Sequence, residues 1–155
     1  LDKLTKERAT YQLEEFRKRA EAHPTELKYR FNLGKILHDA GELDESIQNL
    51  QKAKTDARYK AEGGYYLGLC LFKKKNARMA LKELEEARSE FLDMEDDINK
   101  QITYLIGRIY ESANKKESAL EEYEKIGQID YNYKDIQKRM ESLGSIWFES
   151  KSERS

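Results

Sequence analysis

His23, His38 and Cys70 are the side chains of this sequence best suited to acid–base, nucleophilic or metal chemistry near neutral pH. Such chemistry needs groups that converge, and the spacing here gives no sign of it. His23 precedes Pro24 at a turn, and His38 lies in a helical stretch rich in lysine and aspartate. Neither falls in a ligand spacing such as HExxH, and a lone cysteine offers no CxxC. Cys70 stands between Leu69 and Leu71, where a small buried hydrophobe is expected rather than a nucleophile. The stretch GGYYLG from Gly63 has the glycines of a phosphate loop but neither the preceding strand nor the spacing. Acidic runs such as KELEEARSE and ALEEYEK read as solvated helix faces with i,i+4 ion pairs. On these grounds no enzyme activity, cofactor or metal site is expected.

The elements that must position any functional surface are helices. Hydrophobic and charged residues each make up 38% of the chain, with one proline, a balance that favours narrow apolar stripes and solvated outer faces. A length of 155 residues is enough for one domain with a real core. The formal net charge of -1 lacks the positive excess typical of general nucleic-acid or anionic-membrane binders. No apolar run approaches the roughly 18–20 residues that span a bilayer, and no signal-peptide core is visible. One cysteine rules out an intrachain disulfide. A chain that begins at Leu1 is expected to be a trimmed or mature fragment. The favoured setting is the cytoplasm, with room for a targeting segment or further domains upstream.

A repeat organises the helices. Gly34, Gly68 and Gly107 each follow an aliphatic residue (Leu33, Leu67, Ile106) and precede a large one three positions on (Leu37, Leu71, Tyr110). Twelve residues after each glycine comes a small side chain, Ser46, Ala80 or Ala119, and four later a bulky one, Leu50, Leu84 or Tyr123. Leu33, Ile36 and Leu37 share one helix face and Leu43, Ile47 and Leu50 another, so each unit reads as two antiparallel helices. Gly41 supplies the first turn, and Asn76 and Asn114 suit the corresponding turns or helix starts. A glycine inside a helix costs roughly 1 kcal/mol against alanine. Its recurrence at one phase predicts a close crossing, with Gly34 facing Ser46, Gly68 facing Ala80 and Gly107 facing Ala119.

This pattern resembles the tetratricopeptide repeat family, whose period is 34 residues. LGKIL, LGLCL and IGRIY carry the first half of the signature, and SIQNL, ALKEL and ALEEY the second, from about Thr25 to Tyr133. The family's early tryptophan is replaced by Arg30, Gly64 and Thr103, and its closing proline by Arg58, Leu92 and Tyr131. The resemblance implies an all-α, right-handed superhelical solenoid over residues 1–150. It would hold a partial repeat helix in 1–24, helix-pair repeats in 25–57, 58–95 and 96–132, and a capping helix in 133–149. Ile136, Met140, Leu143 and Trp147 would form the stripe of that cap, and residues 150–155 a disordered tail.

Positions three before, one after and four after each glycine share a second helix face. They are Phe31, Lys35 and His38; Tyr65, Leu69 and Phe72; and Tyr104, Arg108 and Glu111, with Lys73 alongside. In the resembled family this face lines a concave groove for a peptide or partner helix. The implied function is a non-enzymatic scaffold binding a segment of another protein, with no nucleic acid and no membrane insertion. Family members that hold acidic chaperone tails use a two-carboxylate clamp at positions that read Phe31, Lys35, Tyr66, Gln101 and Leu105 here. Only Lys35 is basic, which argues against that subclass. Rival readings are a self-assembly module forming a homo-oligomer, and a regulatory arm of a larger multidomain protein.

Overall fold

The computed structural model describes the backbone of residues 2–152 and the side chains of residues 2–144. Eight α-helices and one short 3-10 turn occur there, with no strand among the described residues. In order these are α1 (Asp2–Ala22), α2 (Leu27–Asp39), α3 (Leu43–Ala53), the turn Ala57–Tyr59, α4 (Lys60–Lys73), α5 (Ala77–Arg88), α6 (Asp97–Ser112), α7 (Lys116–Gly127) and α8 (Ile136–Ser152). Contacts divide the chain into two compact units, Leu1–Ala87 and Arg88–Ser155. The repeat period alone leads one to expect a single domain over 1–150.

In the first unit α1 lays Leu13 and Ala20 against Leu33 and Leu37 of α2, with Phe16, Tyr29 and Ile36 at the margin. Arg17 of α1 also forks onto Glu45 of α3, at 2.9 and 2.6 Å. Phe31, Leu50, Ala53, Leu67 and Cys70 form the next core cluster, joining α2, α3 and α4. In the second unit Ala119, Tyr123, Ile126, Ile136 and Leu143 join α7 to α8. Trp147, the last member of the stripe expected on α8, has its side chain outside the described residues. Helix α8 continues to Ser152, so the tail expected from residue 150 begins as helix, and residues 153–155 lie outside the described residues.

The repeated glycines are notches, but not for the residues the spacing singles out. A methyl group at Gly34 would stand 2.6 Å from Leu50 Cγ, at Gly68 2.5 Å from Leu84 Cγ, and at Gly107 2.5 Å from Tyr123 Cε1. The bulky residue sixteen positions on, not the small one at twelve, therefore enters each notch. Ser46, Ala80 and Ala119 are fully buried beside the crossing. Ser46 Oγ donates to the Gly34 carbonyl at 2.6 Å, and Cys70 Sγ–H donates to Ser46 Oγ at 3.4 Å.

The three intra-pair turns share one geometry. Gly41, Lys75 and Asn114 have positive φ (82°, 66° and 59°). The next residue's N–H reaches back to the carbonyls of Leu37, Leu71 and Tyr110, at 2.9 Å in each case. This is the left-handed cap that ends many helices. Asn114 makes such a turn itself, whereas Asn76 caps α5 by accepting from the Met79 N–H at 3.2 Å. Lysine at position 75 thus takes a conformation that glycine or asparagine adopts more cheaply.

Candidate functional site

Helix α4 sorts its side chains by phase. Leu67, Gly68, Cys70 and Leu71 are buried, whereas Tyr65, Tyr66, Leu69 and Phe72 stay partly exposed and Lys73 is exposed. Across from them on α2 lie Lys35 and His38. Lys35 Nζ reaches Glu62 Oε1 at 3.4 Å and sits 5.1 Å from the Phe31 ring centre and 5.7 Å from that of Tyr66. This cation is already paired and partly covered by aromatic faces.

His38 is held from both ring nitrogens. Nδ1 lies 3.0 Å from Asp39 Oδ1, and Nε2 lies 3.0 Å from Lys73 Nζ. The lysine ammonium can only donate, so Nε2 accepts and Nδ1–H donates to Asp39, which selects one neutral tautomer. The ring meets Tyr66 edge-on at 5.5 Å, and Tyr66 meets Tyr65 edge-on at 5.4 Å. Burial pushes the phenols of both tyrosines above their ordinary value. The result is an aromatic patch flanked by two lysines.

Phe31 does not belong to this surface. It is 5% exposed, packs with Leu50, Ala53, Leu67 and Cys70, and stacks on Tyr59 with ring centres 4.7 Å apart. Three residues before Gly34 is nearly a full turn, and α4 together with the Ala57–Tyr59 turn closes over that position. Cys70 is also fully buried, and burial raises its thiol. A protonated, enclosed thiol is a packing group.

The second unit uses its expected residues differently. Tyr104 Oη donates to Asp135 Oδ1 at 2.6 Å and accepts from Arg139 Nε at 3.2 Å. Glu111 accepts from Tyr123 Oη at 2.8 Å and from Arg139 Nη1 at 3.0 Å. Burial, then the Glu111 bond, push the Tyr123 phenol far above its ordinary range. Lys134 Nζ lies over the Tyr104 ring at 4.7 Å. Tyr104 and Glu111 therefore serve to seat α8, while Arg108 is half-buried on α6. The spacing rule missed Glu62, Tyr66 and Arg139. Arg139 alone left a visible sign, as the i,i+4 partner of Asp135.

Helix pairs locked by one large side chain in a glycine notch, carrying an aromatic and basic face, define a helical-repeat protein. A model of the tetratricopeptide repeat matches residues 27–55 and 101–133, which are the α2–α3 and α6–α7 pairs. The α4–α5 pair between them carries the same lock at Gly68 and Leu84. The chain thus carries tetratricopeptide repeats in the α2–α3 and α6–α7 pairs. Among solved structures, a crystal structure of MamA aligns with a TM-score of 0.78 and 24% identity, over 97% of this chain and 83% of that one. A second MamA structure aligns with a TM-score of 0.75 and 23% identity, over 92% and 75%. These likenesses establish the all-α solenoid fold of helix pairs. No curated protein sequence matches the chain.

Proposed function

We propose that the chain is a non-enzymatic scaffold that holds a peptide or helix of another protein on the α2–α4 face of its first unit. The observation that carries this is the sorting on α4, which keeps Leu69 and Phe72 out of the core that Leu67, Cys70 and Leu71 fill. Partly exposed aromatics beside cations are the usual anchors of protein interfaces. The partner segment presents apolar side chains to Tyr65, Leu69 and Phe72, and a carboxylate near Lys73 and the Lys35–Glu62 pair. Repeat arrays of this kind hold other proteins, which supports a binding role.

Benzoylphenylalanine placed at Tyr65, on the same face of α4, should cross-link one defined partner in native extract, while the same probe at exposed Lys82 on α5 should not. The double substitution Leu69→Glu, Phe72→Glu should remove that adduct, because two carboxylates would be desolvated against the partner's apolar side chains. Both side chains are partly buried, so a stability cost of about 1–2 kcal/mol is expected and is read by thermal melting. Loss of helicity at working temperature would make these residues core. An unchanged adduct from a folded double mutant would move the site elsewhere.

A further inference from the structure

Of the six large apolar side chains that stand exposed among the described residues, three lie on two connections at one end of the second unit. Leu92, 105% exposed, precedes α6, and Ile129 and Tyr131 follow α7. Lys100 of α6 ties these connections together, with Nζ 3.4 Å from Asp130 Oδ2 and 4.0 Å from Asp97 Oδ1. The Leu92 connection is itself fixed. Asp93 Oδ1 accepts from the Glu95 N–H at 2.9 Å, the Asp93 carbonyl accepts from Asn99 Nδ2 at 2.6 Å, and Met94 packs on the α7–α8 core. An apolar side chain already held in place loses little further freedom on binding. Its surroundings are acidic. Between Arg88 and Lys100 the sequence has no cation but carries Glu90, Asp93, Glu95, Asp96 and Asp97.

The first unit shows the opposite pattern at the turn from α4 to α5. Lys75, Arg78 and Met79 are all exposed there. Lys74 is bound to Asp44, but neither Lys75 nor Arg78 has an ion pair among the described residues. The wider charge balance agrees. Residues 1–87 hold 18 Lys and Arg against 15 Asp and Glu, a formal +3, and residues 88–155 hold 11 against 15, a formal -4.

We infer that copies of this chain assemble head to tail, the acidic Leu92 edge of one copy docking on the basic Met79 corner of the next. Two acidic edges repel each other, and so do two basic corners, which leaves edge on corner as the attractive pairing. Glu95 and Asp97 meet Lys75 and Arg78, while Leu92 and Tyr131 cover Met79. The charges steer the encounter and set its register, and the apolar contact holds it. Because the two surfaces differ, each docked copy still offers a free edge or a free corner, and growth passes beyond a dimer. Lys75, Arg78 and Met79 take no part in the α2–α4 face, so the assembly stands or falls independently of the function proposed for that face.

Light scattering over a concentration series from about 10 μM to about 1 mM tests this, in about 50 mM and about 500 mM salt. Average mass should climb past that of a dimer at low salt and fall at high salt. Asp93 and Asp96 hold backbone N–H groups, so the edge is reversed at exposed Glu95 and Asp97 instead. Lys75→Glu with Arg78→Glu, or Glu95→Lys with Asp97→Lys, should each weaken association at least about tenfold. Mixed in equal amounts, the two reversed proteins should associate again, since each then offers what the other lacks. Leu92→Ser should weaken association to a similar degree, which separates docking from general attraction between charges. Far-UV circular dichroism checks that every variant is folded. A wild type that stays monomeric throughout, a mass that levels off at a dimer, or a mixture that stays monomeric would overturn the inference. So would association that Leu92→Ser leaves unchanged. Association lost with Leu69→Glu, Phe72→Glu but kept in both charge reversals would place the second copy on the α2–α4 face and overturn the edge.

Discussion

Replacing Gly68 with alanine sets two effects against each other at one atom. Helix propensity favours the change by about 1 kcal/mol, because glycine loses more backbone freedom on folding. The new methyl would stand 2.5 Å from Leu84 Cγ and Cδ2, far inside the roughly 3.5–4.0 Å of ordinary carbon contact. Leu84 is fully buried and cannot swing into solvent, so relief requires α4 and α5 to separate. Overpacking of this kind costs about 1–3 kcal/mol. Because the methyl meets the branch point and not a mobile tip, the upper half of that range applies. The net expectation is a loss of about 1–2 kcal/mol, or a fall of about 2–8 °C in melting temperature. Gly63 is the control on the same helix, since a methyl there meets Lys54 no nearer than 3.6 Å, an ordinary contact. Gly63→Ala should therefore raise stability by up to about 1 kcal/mol. Leu84→Ala alone should cost about 2–5 kcal/mol. In the Gly68→Ala background it should cost less, with a coupling of about 1–3 kcal/mol. Urea melts of the four proteins, followed by far-UV circular dichroism, measure the cycle. Gly68→Ala stabilising as much as Gly63→Ala, or a cycle additive within about 0.5 kcal/mol, would refute the notch.

Lys75→Gly should raise stability by about 1 kcal/mol, because Lys75 holds φ 66° at a position suited to glycine; an unchanged urea midpoint counts against strain at that turn. The raised Tyr123 phenol contributes stability that is complete below about pH 10 and is lost as pH rises further, with a slope of up to about 1.4 kcal/mol per pH unit. Tyr123→Phe should flatten that alkaline slope in melts between pH 9 and 11, at a cost of about 1 kcal/mol near neutrality. The Arg17 guanidinium holds the Glu45 carboxyl below its ordinary value, so its contribution is present above about pH 4.3 and lost as pH falls. Both side chains are 37% exposed, which limits the effect to about 0.5–1 kcal/mol, and melts of Glu45→Gln at pH 3 and pH 7 should show the difference vanish in acid.

The sequence by itself determined the helices and their pairing. Leu33, Leu37, Leu67, Leu71 and Ile106 recur at helical spacing, and all five are buried. Burial on a helix follows a period of 3.6 residues that needs no knowledge of the partner. Gly34, Gly68 and Gly107 likewise announce close crossings, since an internal glycine is costly unless something fills its place. What filled that place was decided in three dimensions. Gly34 lies twelve residues from Ser46 and sixteen from Leu50, both buried on α3, and the packed pair sets Leu50 into the notch while Ser46 Oγ bonds the Gly34 carbonyl. The fate of the second helix face was also decided there. Phe31, Tyr104 and Leu69 stand on comparable faces of their helices, yet Phe31 is sealed by Tyr59 and the α4 core, Tyr104 is bound by Asp135 and Arg139, and Leu69 stays partly exposed. Side-chain phase is a local property that each helix carries in its own sequence. Exposure depends on whichever element the chain folds over that phase, and the covering residues lie some 28 to 35 positions away.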